Sequence, residues 1–432
     1  MVAETGSLTS RKWNTSEVGV ENHRHRHGSV APWDVSADIR AGIFSLQIAV
    51  FRKSDSLMAG RQPDHSVSVE QRRGLVSHEM QTVQRWLTEG VRQQASDLHL
   101  VVGHPPVLRV HGELRRLEEP VLTGQVVESV LQAICPEALF SRFHETRDID
   151  FSLELQLDGP RHRFRVNGFV ASESVGACFR LIPASIPDFD WAGFPQAIAE
   201  RITRFRNGLV LVTGVAGSGK STTLAMCVEL LNSRGNQRII TIEEPVEYRY
   251  PIWPGSIVTQ REVGLDVESF AAGLKYGLRQ DPDTILIGEI RDHETAQMTL
   301  TAAETGHLVL STMHTRDAKG AISRYTDLFP QSLQIEVRSQ LALCLRAVVS
   351  QHLLPAAVEG EKRKLALEIL FSNSPIASAI RTGKLTSIEN YILTGRPEGM
   401  ITLDESIKSL LLAGEIRRDV AGRFVSDPAI LH

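Results

Sequence analysis

The chain has 432 residues, 42% of them apolar and 23% charged, with a formal net charge of −4. Such a length supports two or three domains with buried cores, and the mildly acidic balance provides no global basic field for nucleic acid or an anionic membrane. The four cysteines, Cys135, Cys178, Cys227 and Cys344, are scattered without C-x-x-C spacing, which argues against structural zinc and a disulfide framework and for reduced thiols.

Residues 1–79 are polar, rich in His and Arg and without sustained periodicity, and are expected to form a disordered extension. The run His23-Arg24-His25-Arg26-His27 reads as solvated tail and not as a metal tract, because the interleaved arginines repel a cation. An apolar run over 42–51 is about half the ~20 residues a membrane helix needs. It also lies far from the N-terminus, so it does not read as a secretory signal.

At Met80 the pattern changes. Met80, Val83, Leu87 and Val91 recur at helical spacing. Strand-like runs follow over 98–102, 107–110, 149–155, 164–169 and 177–181, interrupted by a helical stretch over 124–139, which predicts a small α+β domain on an antiparallel sheet. The proline-containing run Ile182-Pro183-Ala184-Ser185-Ile186-Pro187 reads as a linker. Beyond it, strands over 209–213, 239–242, 284–287 and 308–312 alternate with helices after residue 219 and over 270–278 and 295–303. This order predicts a parallel sheet covered by helices, and the fold class is α/β. The expected division is an N-domain over 80–182, a linker over 183–190, a nucleotide-binding domain over 191–372 and a helical region over 373–432.

The densest chemistry is G-V-A-G-S-G-K-S, from Gly214 through Val215, Ala216, Gly217, Ser218, Gly219 and Lys220 to Ser221, with Thr222 next. It follows an apolar strand and opens a helix, as a Walker A loop requires. Gly214 and Gly219 allow the tight turn that aims backbone N–H groups at phosphates, and the helix start adds its positive end. Lys220 is expected at the β- and γ-phosphates of ATP and Ser221 on Mg²⁺. Glu289 is the first carboxylate after the strand in T-I-L-I-G-E-I-R-D; Gly288 stands where Walker B strands usually carry Asp, so Glu289 is assigned to orient or deprotonate water. Glu243 and Glu244 end another strand, where they are candidates for polarising water or holding hydrated Mg²⁺. His314 emerges after the strand over 308–312, at the carboxyl edge where open α/β sheets bind ligands, whereas His307 precedes that strand. Spacing alone leaves His314 open between a structural residue and a γ-phosphate contact.

These segments in this order resemble the secretion ATPase superfamily and, within it, the PilT-like type IV pilus retraction ATPases. The resemblance is carried by A-S-D-L-H-L from Ala95, G-H-P-P-V-L-R-V-H-G-E-L from Gly103, R-F-R-V-N from Arg163, the Walker loop, I-E-E-P-V-E-Y from Ile242, Q-R-E-V-G from Gln260, L-R-Q-D-P-D from Leu278, G-E-I-R-D from Gly288 and A-A-E-T-G-H-L-V from Ala302. It spans about residues 80–416. It implies a PAS-like N-domain joined to a RecA-like ATPase domain, assembled as a homohexamer in the cytoplasm at the inner-membrane base of a pilus machine. The implied partner is a membrane platform protein, with membrane contact only through partners and no nucleic acid. Glu243 and Glu244 then fall in the family's acidic box, with Glu244 standing where relatives often carry Asp. Glu289 falls in an atypical Walker B, and His307 to His314 span the His box. Arg165 and Arg180 match positions that supply arginines to the phosphates, a task suited to the planar guanidinium. Relatives begin with a helix shortly before S-D-L-H-L, which points to Met80 or Met58 as the start. Assembly-type relatives carry a four-cysteine zinc insertion, absent from this sequence, and A-I-R-T-G-K from Ala379 resembles a retraction motif, so retraction is preferred over pilus assembly or type II secretion. A RecA-like nucleic-acid translocase is a further alternative, disfavoured by the 6% aromatic content and acidic charge.

Overall fold

A computed structural model describes residues 69–110, 113–182, 185–358 and 360–431, organised on two sheets. The expectations for residues 1–68, including the His23–His27 run, lie outside the described residues. Residues 69–79 are helical, not disordered: the first helix runs Val69–Arg92, so the expected boundary at Met80 falls inside it. The Glu, Gln and Arg residues of its first turns are good helix formers without an apolar stripe, which is why periodicity alone began later.

The N-domain sheet consists of β1 (Ala95–Leu100), β2 (Val107–Val110), β3 (Glu113–Arg116), β4 (Asp148–Gln156), β5 (Arg161–Ala171) and β6 (Ser174–Ile182). Their order is β3-β2-β1-β6-β5-β4, with every pairing antiparallel. Alternation assigns the two faces. Ile149, Phe151, Leu153 and Leu155 of β4, with Phe164, Val166 and Phe179, join Val83, Leu87, Val127 and Leu131 of the helices in one core. The opposite face carries polar side chains, and Asp97, Arg180, Arg165 and Ser152 form one register row across β1, β6, β5 and β4. The helix expected over 124–139 is two helices, Gly124–Ile134 and Glu137–Thr146. Pro136 separates them, since it lacks an N–H and disfavours helical geometry in the residue before it.

The second sheet holds β7 (Gly208–Thr213), β8 (Gln237–Glu243), β9 (Ser256–Glu262), β10 (Thr284–Ile287), β11 (Leu308–Met313), β12 (Leu345–Leu354) and β13 (Lys364–Phe371). Its order is β13-β12-β7-β11-β10-β8-β9, parallel except for the antiparallel edge strand β13. β7, β10 and β11 are buried at every position, which accounts for their continuous apolar runs. Helices Lys220–Arg234, Phe270–Gly277 and His293–Glu304 contribute to the core around them. β7 lies between β12 and β11, so the loop leaving its carboxyl end enters the middle of the sheet edge. The C-terminal region contains helices Ser374–Thr382, Ile388–Thr394 and Leu403–Leu412; Ile376, Ile380, Ile388 and Ile392 pack into the core of the second sheet, whereas Ile407 and Val420 form a small cluster with Leu354. No helix among the described residues is long and apolar enough to cross a membrane.

Candidate functional site

The loop after β7 is shaped by close approach. Gly214 has φ +147°, and a Cβ there would stand 2.4 Å from Ser218 Oγ and 2.5 Å from the Gln351 carbonyl oxygen on β12. Only glycine lets the chain pass this point. Gly217 and Gly219 also have positive φ, but a Cβ on either would meet nothing within 4 Å. Helix Lys220–Arg234 begins directly after Gly219, so its first N–H groups lack intrahelical partners at the loop. The Lys220 ammonium donates to the Gly214 and Val215 carbonyls at 3.0 and 3.1 Å. Burial lowers its pKa, opposed by the negative charges of Glu289 and Glu247. Ala216, Gly217, Gly219, Lys220, Ser221 and Thr222 line a cavity of about 640 Å³, while Ser218 is buried behind them.

Carboxylates from two neighbouring strands reach the same cavity. At Gly288, where Walker B strands usually carry Asp, a Cβ would sit tightly, 3.3 Å from the Phe270 ring and 3.4 Å from the backbone of Ile242 and Glu243. Glu289 is the first acidic side chain past this point. Its strand end is fixed by Thr312 Oγ1 donating to the Gly288 carbonyl at 2.6 Å and by the Ile290 N–H donating to the Thr312 carbonyl at 3.1 Å. Glu289 Oε1 lies 3.5 Å from His314 Nε2, an ion pair when the imidazole is protonated. Glu243 accepts from Thr241 Oγ1 at 2.7 Å and Gln260 Nε2 at 3.2 Å; burial pushes its carboxyl up and these hydrogen bonds oppose the shift. Glu244 is paired with Arg291, whose guanidinium sits 5.8 Å over the Phe270 ring. His307 lies at the other end of β11, with Nδ1 3.0 Å from the Ala302 carbonyl and 3.2 Å from Thr305 Oγ1, so the two histidines of the motif occupy opposite sheet edges.

The polar face of the N-domain contributes to the same cavity. Arg165 and Arg180 line it together with Asp150 and the Walker loop. Arg165 Nε is 3.4 Å from Asp150 Oδ1, and Arg180 Nε donates to Asp97 Oδ1 at 2.9 Å, a hydrogen bond that holds the Arg180 guanidinium charged more firmly. The cavity thus gathers Glu243, Glu244, Glu289, His314, Arg165 and Arg180. Sequence reading singled out neither Asp150, Glu247 and Tyr248 nor the role of Arg291. Arg291 stands within G-E-I-R-D and Tyr248 within I-E-E-P-V-E-Y, so their motifs were visible although their partners were not. Asp150 carries no local signal and reaches the site only because β4 faces it.

A phosphate-cradling loop at the carboxyl edge of a parallel sheet, faced by carboxylates and by arginines from a second domain, defines a nucleotide-hydrolysing machine of the RecA-like P-loop class. Residues 76–400 match the family described as type II/IV secretion system protein, and the chain belongs to that family. It is 41% identical over 335 residues to the type IV pilus retraction ATPase PilT of Pseudomonas aeruginosa, covering 78% of this chain and 95% of that protein. A twitching motility protein of Neisseria gonorrhoeae is 39% identical over 318 residues, covering 74% of this chain and 83% of that protein. A crystal structure of the pilus retraction motor PilT with bound ADP superimposes with a TM-score of 0.71 at 38% identity, covering 80% of this chain and 98% of that one. The chain is accordingly an ATPase with an N-domain followed by a RecA-like domain.

Proposed function

We propose that the protein is a motor that hydrolyses ATP to power type IV pilus retraction. The observation that carries the reading is the convergence of the Walker loop, Glu289, Arg165 and Arg180 on one cavity, in a chain 41% identical to a retraction ATPase. In this reading Gly214 to Thr222 cradle the triphosphate, with Lys220 moving from its loop carbonyls to the β- and γ-phosphates. Mg²⁺ is held by Ser221 and, through water, by Glu244; a hydroxyl and carboxylates in one cavity are the hard oxygen donors this ion takes. Glu289 orients or deprotonates the attacking water, with His314 beside it. Glu243, hydrogen-bonded at the back of the acidic loop, supports Glu244. Arg165 and Arg180 neutralise charge developing on the phosphates.

The working form in this reading is a homohexamer at the cytoplasmic face of the inner membrane. It acts on a membrane platform protein of the pilus machine, and nucleic acid has no part. Residues 80–182, with the helix leading into them, form the N-domain; 183–190 link it to the ATPase domain over 191–372, and 373–432 form the C-terminal helical region. Helix Ser374–Thr382 ends at Gly383, φ +71°, which leaves Arg381 and Lys384 exposed and outside the cavity. These cations suit a contact with the pilus machine. A clean deletion tests retraction against assembly: cells with abundant surface pili and no twitching are expected, and bald cells overturn the reading.

A further inference from the structure

The loop between β8 and β9 carries Glu244, Glu247 and Tyr248 into the nucleotide cavity, and it is gripped from the side away from the nucleotide by residues that do not line that cavity. Arg163 of β5 is the first grip. It is buried, and its two terminal nitrogens donate to the carbonyls of Val246 and Glu247, each at 2.9 Å. Glu262 at the end of β9 is the second. It too is buried, accepting from the Val246 N–H at 3.1 Å on Oε2. The same carboxylate takes the Ser152 N–H at 3.1 Å and the Ser152 hydroxyl at 2.7 Å, both from β4 of the N-domain. Each domain therefore holds Val246, the N-domain by its carbonyl and the second sheet by its N–H, and one carboxylate bonds both the loop and the N-domain.

We propose that Arg163, Glu262 and Ser152 are positioning residues that fasten the acidic loop to the N-domain of the same chain, so that loop placement and N-domain approach are one event. This rests on the ATPase reading of the site. Strand geometry makes the coupling direct: Arg163 and Arg165 are two apart on β5 and share a face, and Ser152 is the register partner of Arg165. A rigid strand cannot deliver Arg165 to the cavity without also bringing Arg163 onto the loop carbonyls. On the far side of the loop, Tyr248 Oη lies 2.9 Å from Thr222 Oγ1, next to Ser221, so a displaced loop disturbs the proposed metal end of the site as well. A buried guanidinium serves here because its fork satisfies two carbonyls at once, which a neutral side chain of that reach does not.

The test uses the purified full chain and two readouts. Hydrogen exchange over residues 244–250 should quicken at least about tenfold in Arg163→Ala, the scale of losing one charge-assisted hydrogen bond, while β7 and β10 keep parent protection. Unchanged protection of that loop overturns the fastening, whether or not the protein hydrolyses ATP. Turnover at saturating Mg-ATP should fall about tenfold with nucleotide affinity changed less than about threefold, and Arg163→Lys should recover part of the loss. The Arg163→Ala/Arg165→Ala double variant should lie within about twofold of the slower single, because both act through one domain approach. Parent-like turnover of Arg163→Ala, or single losses that multiply in the double, overturns the proposal. Should Arg163→Ala fail to fold, Ser152→Ala, which removes only the hydroxyl donor to Glu262, is carried through the same cycle against the same criteria. Absence of turnover in the parent would instead count against the motor reading.

Discussion

Replacing Gly214 by Ala should collapse the Walker loop, and Gly217→Ala provides the internal control. At Gly214 the new methyl would sit 2.4 Å from Ser218 Oγ and 2.5 Å from the Gln351 carbonyl oxygen, at φ +147°. Ser218 can rotate away, but Gln351 belongs to β12, which is paired with both β7 and β13, so its carbonyl cannot retreat without breaking a ladder. Backbone strain at a conformation few side chains adopt costs about 1–3 kcal/mol. Overpacking against a fixed atom adds about 1–3 kcal/mol, for a total of roughly 2–6 kcal/mol. Gly217 has φ +74° and open space around the added methyl, so only the left-handed strain of about 1–2 kcal/mol applies. Thermal melting of both nucleotide-free variants against the parent reads the difference. At roughly 2–4 °C per kcal/mol for a domain of this size, Gly214→Ala should melt several degrees below Gly217→Ala and lose binding of a fluorescent ADP analogue. Equal melting temperatures, or parent-like nucleotide affinity in Gly214→Ala, would refute the account of the loop.

Glu289→Gln should retain ATP binding while phosphate release falls about 10²–10⁴-fold, the range for a lost general base; near-parent turnover removes Glu289 from that role. Arg165→Ala and Arg180→Ala should each lower turnover; Arg165→Ala should not shift the melt by more than about 1 kcal/mol, since its pair with Asp150 is partly solvated, whereas Arg180→Ala strips the buried Asp97 carboxylate of this guanidinium, leaving it the Ser96 hydroxyl, and should cost more; parent activity at saturating ATP would make both surface arginines. Arg381→Ala with Lys384→Ala should leave ATPase within about twofold, or ~0.4 kcal/mol of barrier, while cells lose twitching. Collapse of turnover in that variant would mark the segment as a packing element. Glu368 tests a pH effect. Burial, with Asp317, Glu389 and Asp404 nearby, pushes its carboxyl from 4.5 up to about 7, against the Ala318 N–H that donates to it at 2.6 Å. A raised folded pKa means that stability is fully present below pH 4.5 and falls as pH rises to about 7, by about 3 kcal/mol in all. Glu368→Gln keeps an acceptor for Ala318 and should flatten this dependence in denaturant titrations at pH 5 and 8; an unchanged slope would refute the cause.

The nucleotide-binding half was legible because its signals are local. A buried parallel strand needs an apolar run on both faces, and a phosphate loop needs glycines at fixed offsets, so β7, β10 and β11 with Gly214 to Ser221 stand out from residue order alone. The half-exposed strands β1, β2, β4, β5 and β6 were legible from their apolar positions, whereas β3 and β9 were not: β3 is exposed at all four positions, and β9 gains its identity from pairing with β8. The continuous helix expected over 124–139 failed at Pro136, a local breaker outweighed by periodicity in the reading. The carboxylates were placed by their strand ends, but only the structure shows that a Cβ at Gly288 would crowd the Phe270 ring and the Ile242–Glu243 backbone at 3.3 to 3.4 Å. Arg165 and Arg180 came from a resemblance, since nothing in a β-strand reports what its polar face will meet. That the same face brings Asp150 into the cavity, Arg163 onto the loop at Val246 and Ser152 onto Glu262 of β9 was decided only by tertiary structure. Local sequence fixes backbone conformation through sterics and burial period, whereas contacts between residues some 80 to 110 positions apart exist only once two independently built sheets are docked.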